Sequence, residues 1–98
     1  MQLGEVVGTV VATQKDPRIG TLRMMVVREL TPEGKASGKY VVCLDAVGSG
    51  PGEKVLYVTG SSARLTELTD KKPCDATIFA IVDKWDLDGK VMYDKTKD

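Results

Sequence analysis

Apolar positions along this chain recur with a period of two rather than 3.6, which marks strands whose side chains alternate between two faces. From residue 3 to 13 the even positions are Gly4, Val6, Gly8, Val10 and Ala12, all small and apolar. The odd positions mix Glu5 and Thr9 with Val7 and Val11. This predicts a first strand buried on its even side, with Gly4 and Gly8 allowing sharp bending or close backbone approach. Residues 21–30 alternate again, with Leu22, Met24 and Val26 on one side and Arg23 and Glu29 on the other. Residues 39–47 are apolar on both faces and predict a central strand, and residues 53–59 predict a fourth. Residues 75–85, rich in Ile, Val and Phe, predict the longest strand. Asp88-Gly89 is the strongest hairpin signal, and residues 90–93 return from it as a short last strand.

The segments between these strands are polar and rich in breakers. Asp16-Pro17 and Gly20 end the first strand's reach, and residues 31–38 form an exposed loop rich in Gly and Pro. Residues 48–52 form a tight, glycine-dense loop. Residues 60–68 have room for one helical turn, capped by Ser61 or Ser62. Residues 69–73 are a loop, and about 94–98 is a loose charged tail. The predicted fold is all-β: a small closed OB-like barrel of five to six short strands with at most one short helical turn. Closure removes the exposed edges that short strands would otherwise leave.

Composition narrows the function. With 98 residues, 42% hydrophobic and 29% charged, the chain suits one globular domain over 1–98. A core of this size is small, and oligomerisation would bury more apolar surface. Fourteen basic residues balance fourteen acidic ones, whereas a domain that grips phosphates carries a basic excess. There is no histidine, which removes Ser-His-Asp and Cys-His catalysis and imidazole metal sites. Cys43 and Cys74 sit in apolar stretches and are expected as reduced thiols. Neither a secretory pattern nor an apolar run of about 20 residues is present, so a cytoplasmic protein is expected, with no membrane partner.

The motifs that resemble chemical sites fail on inspection. Gly48-Ser49-Gly50-Pro51-Gly52-Glu53-Lys54 looks like a phosphate loop, but Glu53 separates Gly52 from Lys54 and a strand follows instead of a helix. A tight turn is expected there. Asp86-Leu87-Asp88-Gly89 opens like a calcium loop but lacks the later ligands. Tyr40, Tyr57 and Phe79 lie in apolar strands and are expected in the core. Trp85 is expected as a partly buried packing or subunit-contact residue. In Gly60-Ser61-Ser62-Ala63-Arg64, small side chains permit close approach of backbones. Arg64 is expected to make a charge-assisted contact, within or between subunits, with a carboxylate such as Asp45, Glu53 or Asp75. No cofactor, metal or catalytic residue is expected.

Several segments together resemble the EutN/CcmL family of pentameric vertex proteins from bacterial microcompartment shells. The opening run from Leu3 to Asp16 resembles that family's first strand. Asp45-Ala46-Val47-Gly48-Ser49-Gly50-Pro51-Gly52-Glu53 resembles its glycine loop, with Ser49 where Ala is usual. Val58-Thr59-Gly60-Ser61-Ser62-Ala63-Arg64 resembles its second signature, and residues 73–83 its last long strand. Gly20 falls one place earlier than the family pattern. The resemblance implies a barrel subunit, a head-to-tail homopentamer and a structural role in closing a polyhedral shell. Hexameric shell proteins are the implied partners. It also implies a narrow central opening lined by Gly60, Ser61 and Ser62 or by Gly48, Ser49 and Gly50. The competing reading is an OB-like binding module for single-stranded nucleic acid or a small ligand, which needs an exposed aromatic and basic groove.

Overall fold

A computed structural model of the chain describes residues 1–13, 15–60, 63 and 75–97. Expectations for Ser61, Ser62, Arg64 and Cys74 lie outside the described residues, as does the helical turn within 60–68 apart from Gly60 and Ala63. Seven strands are present among the described residues: β1 Gln2–Val10, β2 Met24–Leu30, β3 Ala36–Asp45, β4 Lys54–Thr59, β5 Ala76–Ile81, β6 Lys84–Leu87 and β7 Lys90–Asp94. Single 3-10 turns lie at Pro17–Ile19 and Lys95–Lys97. The Asp16 carboxylate caps the first by accepting from Arg18 N at 2.9 Å.

Five strands close into a barrel in the order β1-β2-β3-β5-β4, with β4 pairing back onto β1. All neighbours are antiparallel except β3 and β5, which run parallel through Leu44–Thr77 and Asp45–Ile78. The barrel is filled by Val6, Met25, Val27, Cys43, Val55, Tyr57, Ala76 and Ile78. Fully burying one such aliphatic side chain contributes roughly 1.5–3 kcal/mol. Gly4 permits this packing, because a Cβ there would stand 2.4 Å from Val27 Cγ1 and 2.9 Å from the Tyr57 ring.

Several sequence expectations are corrected here. The even side of β1 is buried only as far as Val6. A bulge between Val6 and Gly8 inserts one residue, so Gly8 pairs with Val26 and Val10 with Met24. On β2 the residues sealed in the barrel are Met25 and Val27, not Met24 and Val26. β3 begins at Ala36 and its first half is exposed, with Tyr40 64% exposed instead of in the core. Tyr57 is buried as expected, and Phe79 is half-buried.

The expected long strand over 75–85 divides at Val82 and Asp83, leaving β3 the longest. Val82 N donates to Lys54 O at 2.8 Å, and Lys95 N donates to Asp83 O at 2.8 Å, so the chain turns out of the barrel there. β6 and β7 then form a separate two-stranded sheet. Asp88 and Gly89 both take positive φ, 53° and 79°, as a tight two-residue turn requires. A lone hairpin is marginal in water, and this one leans on the barrel. Trp85 Nε1 donates to Pro32 O at 2.7 Å, the Trp85 and Tyr93 rings stand 5.3 Å apart, and Lys54 Nζ sits 5.0 Å over the Tyr93 ring. The tail expected to be loose is tied down: Lys95 Nζ donates to Glu53 Oε2 at 2.9 Å.

Candidate functional site

The glycine loop leaves the barrel at Asp45, whose side chain is buried beneath it. Asp45 Oδ1 accepts from Val47 N and Ser49 N, both at 3.2 Å, which wraps the backbone around one carboxylate. Arg23 Nη2, reaching across from the segment before β2, donates to Asp45 Oδ2 at 3.1 Å and to Ser49 O at 2.6 Å. Gly48 and Gly52 adopt φ of 76° and 89°, which L side chains rarely tolerate. Ser49 is fully buried, and its hydroxyl finds no partner among the described residues. Further on, Gly50 N donates to Glu53 Oε1 at 2.7 Å and Gly52 N donates to Val6 O at 2.8 Å.

The loop therefore spends its amides on its own carboxylates. The amides of residues 47, 49 and 50 converge on Asp45 and Glu53, so an incoming phosphate would meet negative charge. The structure matches the tight-turn reading of this motif. Glu53 is shared between Gly50 N and Lys95, and these two bonds hold its carboxyl below its ordinary value of 4.5.

Gly60 lies at the other end of the same strands. It adopts φ 71°, is exposed, and donates from its N to Asp75 O at 2.7 Å. Ala63 is fully buried, and its carbonyl accepts from Thr77 Oγ1 at 2.6 Å. β4 and β5 run antiparallel, with Thr59 beside Ala76 at one end and Val55 beside Ile81 at the other. The loop over 48–52 adjoins the Val55 end, and Gly60 the Thr59 end. Gly60 and the loop over 48–52 thus lie at opposite ends of β4. Of the three carboxylates considered for Arg64, Asp45 is engaged by Arg23 and Glu53 by Lys95. Arg23, the clasp of the glycine loop, carries no signal in the pattern along the chain.

A belt of polar pairs crosses the outside of the barrel. Glu5 on β1 binds Arg28 on β2 at 2.5 Å and Lys54 on β4 at 3.6 Å. Arg28 is in turn paired across the strands with Tyr40 on β3. Glu5 offsets one of the two cations that flank it, and the three side chains tie β1, β2 and β4 together. Among the described residues no cluster of three or more Cys, Asp or Glu is placed to hold a metal. Burial pushes the Cys43 thiol up to about 12, which keeps it protonated and inert. No helix among the described residues is long and apolar enough to cross a membrane.

The fold and its motifs have close counterparts. The family described as "Ethanolamine utilisation protein EutN/carboxysome" matches residues 1–83. The carboxysome shell vertex protein CcmL of Gloeobacter violaceus is 36% identical over 95 residues, covering 97% of this chain and 95% of that one. The bacterial microcompartment shell vertex protein EutN of Escherichia coli K12 is 34% identical over 95 residues, covering 97% and 100%. The solved structure of Gloeobacter violaceus CcmL superposes with a TM-score of 0.92 at 35% identity, covering 98% of this chain and 99% of that chain. The GrpN pentameric microcompartment shell protein from Rhodospirillum rubrum superposes at 0.78 with 38% identity, covering 89% and 98%. With the family matching residues 1–83 and relatives similar in sequence and fold over nearly the whole length, this chain belongs to the EutN/CcmL family.

Proposed function

We propose that this chain is a structural subunit of a bacterial microcompartment shell, and that five copies form a ring closing the shell at its vertices. The observation that carries this reading is the near full-length match to shell vertex proteins, joined to the superposition on a pentameric shell protein. The role is geometrical. A flat layer of hexagonal units encloses no volume, and five-fold points supply the curvature that does. Head-to-tail contacts form a closed ring because each copy uses two different surfaces and the rotation closes.

The chain acts without catalysis or cofactor, and its partners are its own copies and hexameric shell proteins. Support comes from the residues themselves: histidine is absent, and Asp45, Glu53, Glu5 and Arg28 are held in pairs that fix loops and strands. Residues 1–98 act as one unit, with the hairpin and tail fastened to the barrel through Trp85 and Lys95. The central opening is lined by Gly60, Ser61 and Ser62. What favours these over Gly48, Ser49 and Gly50 is that the Ser49 side chain is sealed inside its own subunit. Arg64, next to this run, makes a contact between subunits.

Electron microscopy of co-expressed shells tests the function. Hexameric partners alone should give open or elongated assemblies, and adding this chain should give compact closed ones. Closed shells formed without it, with no second vertex gene present, would overturn the reading.

A further inference from the structure

The chain holds no asparagine, and Asp88-Gly89 is the one place where an aspartate is followed by glycine. Every other internal aspartate precedes proline or a residue whose Cβ crowds its amide nitrogen. An amide nitrogen can attack the carboxyl of the aspartate before it, and a missing Cβ is what lets it approach. The structure leaves this pair open to that attack. Both residues are exposed, and a Cβ built on Gly89 would meet nothing within 4 Å. Gly89 N donates no hydrogen bond among the described residues. Leu87 pairs with Lys90 directly below the turn, and the next pair joins Asp86 to Val91, which is 46% exposed. Attack requires the Asp88 carboxyl to swing back over the following amide, so the turn must open first. A two-stranded sheet outside the barrel opens readily at its far end. Its base is fastened by Trp85 to Pro32 and by Lys95 to Glu53.

We propose that Asp88-Gly89 is a site of spontaneous rearrangement to an isoaspartyl linkage, which unpairs the outer half of the β6–β7 hairpin. Gly89 N bonds to Asp88 Cγ, and the carboxyl hydroxyl leaves as water with the amide proton. The product is a cyclic imide. Water then adds to one of its two carbonyls. Addition at Cγ restores aspartate. Addition at the main-chain carbonyl breaks its bond to Gly89 N, so the chain runs through Cβ and Cγ and leaves a free α-carboxylate. The water lost is regained, and no oxidant or second substrate enters. The new linkage lengthens the turn by a single backbone atom. Turn type and loop length fix the register of a hairpin, and Asp88 and Gly89 close theirs with φ of 53° and 79°. The lengthened turn therefore breaks the Leu87–Lys90 pair first, while the fastened base stays.

Peptide mapping of the full chain, aged at neutral pH in heavy-oxygen water, tests the rearrangement. The peptide holding Asp88 should split into two species that elute apart, the new one carrying heavy oxygen. That species should accept a methyl group from S-adenosylmethionine through an isoaspartyl-specific methyltransferase. Asp88→Asn, which releases ammonia from a neutral amide, should rearrange roughly tenfold faster, a barrier about 1.4 kcal/mol lower. Asp88→Glu, which needs a larger ring, should show no product. Absence of isoaspartate at Asp88, or equal amounts at Asp83, Asp86 and Asp94, overturns the site. Hydrogen exchange on the purified product tests the consequence. The Leu87 and Lys90 amides should exchange roughly tenfold faster than in unmodified protein, with Trp85 emission unchanged. Unchanged exchange, or a Trp85 shift showing that the base has gone too, overturns the unpairing. Each of these outcomes is independent of the ring assembly.

Discussion

Gly4 and Ser49 show how single positions are fixed by what surrounds them. Gly4 sits where a methyl group would press on Val27 and Tyr57, both sealed in the barrel. Gly4→Ala should therefore cost about 1–3 kcal/mol through overpacking, read as a lower denaturant midpoint. Ser49 presents the opposite case, a buried hydroxyl without a partner among the described residues. Its backbone N and O carry the bonds to Asp45 and Arg23, and these survive loss of the hydroxyl. Ser49→Ala should leave stability unchanged or raise it by up to about 1 kcal/mol, because it removes an unpaid desolvation penalty. Gly4→Ala should thus lower the unfolding transition, whereas Ser49→Ala should not.

At the scale of elements, ties that hold the β6–β7 hairpin and the tail among the described residues include Trp85 to Pro32, Lys54 to Tyr93, and Lys95 to Glu53. The last tie is sensitive to acid. Glu53 is held below 4.5 when folded, so its contribution is present above that value and is lost as pH falls through the lower folded value. The pair is partly exposed, and solvent keeps its contribution small. Lowering the pH below about 4.5 should loosen the tail before the barrel unfolds. Trp85, the single tryptophan, reports this as a shift in emission. Glu53→Gln should flatten that step while leaving the main unfolding transition in place, and a full-sized step in that variant would place its origin elsewhere.

The molecule as a whole is built to be completed by its own copies. Its core is small, and its β2 and β3 strands carry apolar residues outside as well as inside. Native mass spectrometry should find a species of five times the 10.6 kDa subunit. A dominant monomer or dimer at micromolar concentration would count against the ring. Mixing with single-stranded oligonucleotide should leave this species unchanged, since the balanced charge offers no counterion release to drive binding.

Alternation and turn chemistry alone determined the all-β class, the approximate places of β1, β2 and β4, the Asp88-Gly89 hairpin and the tight glycine loop. Each of these rests on neighbours in the chain, which a sequence displays directly. Tertiary structure decided which face of each strand points inward. The bulge at Val7 shifts the parity of β1 by one residue, where Gly8 marks a bend but not a change of register, and Met24 to Val27 is apolar on both faces and carries no parity signal. Tyr40 looked like core for the same reason. The clasp of Arg23 on Asp45 and the tie of Lys95 to Glu53 join residues 22 and 42 positions apart. Such pairs become neighbours only when the barrel closes, so a pattern read along the chain has no access to them.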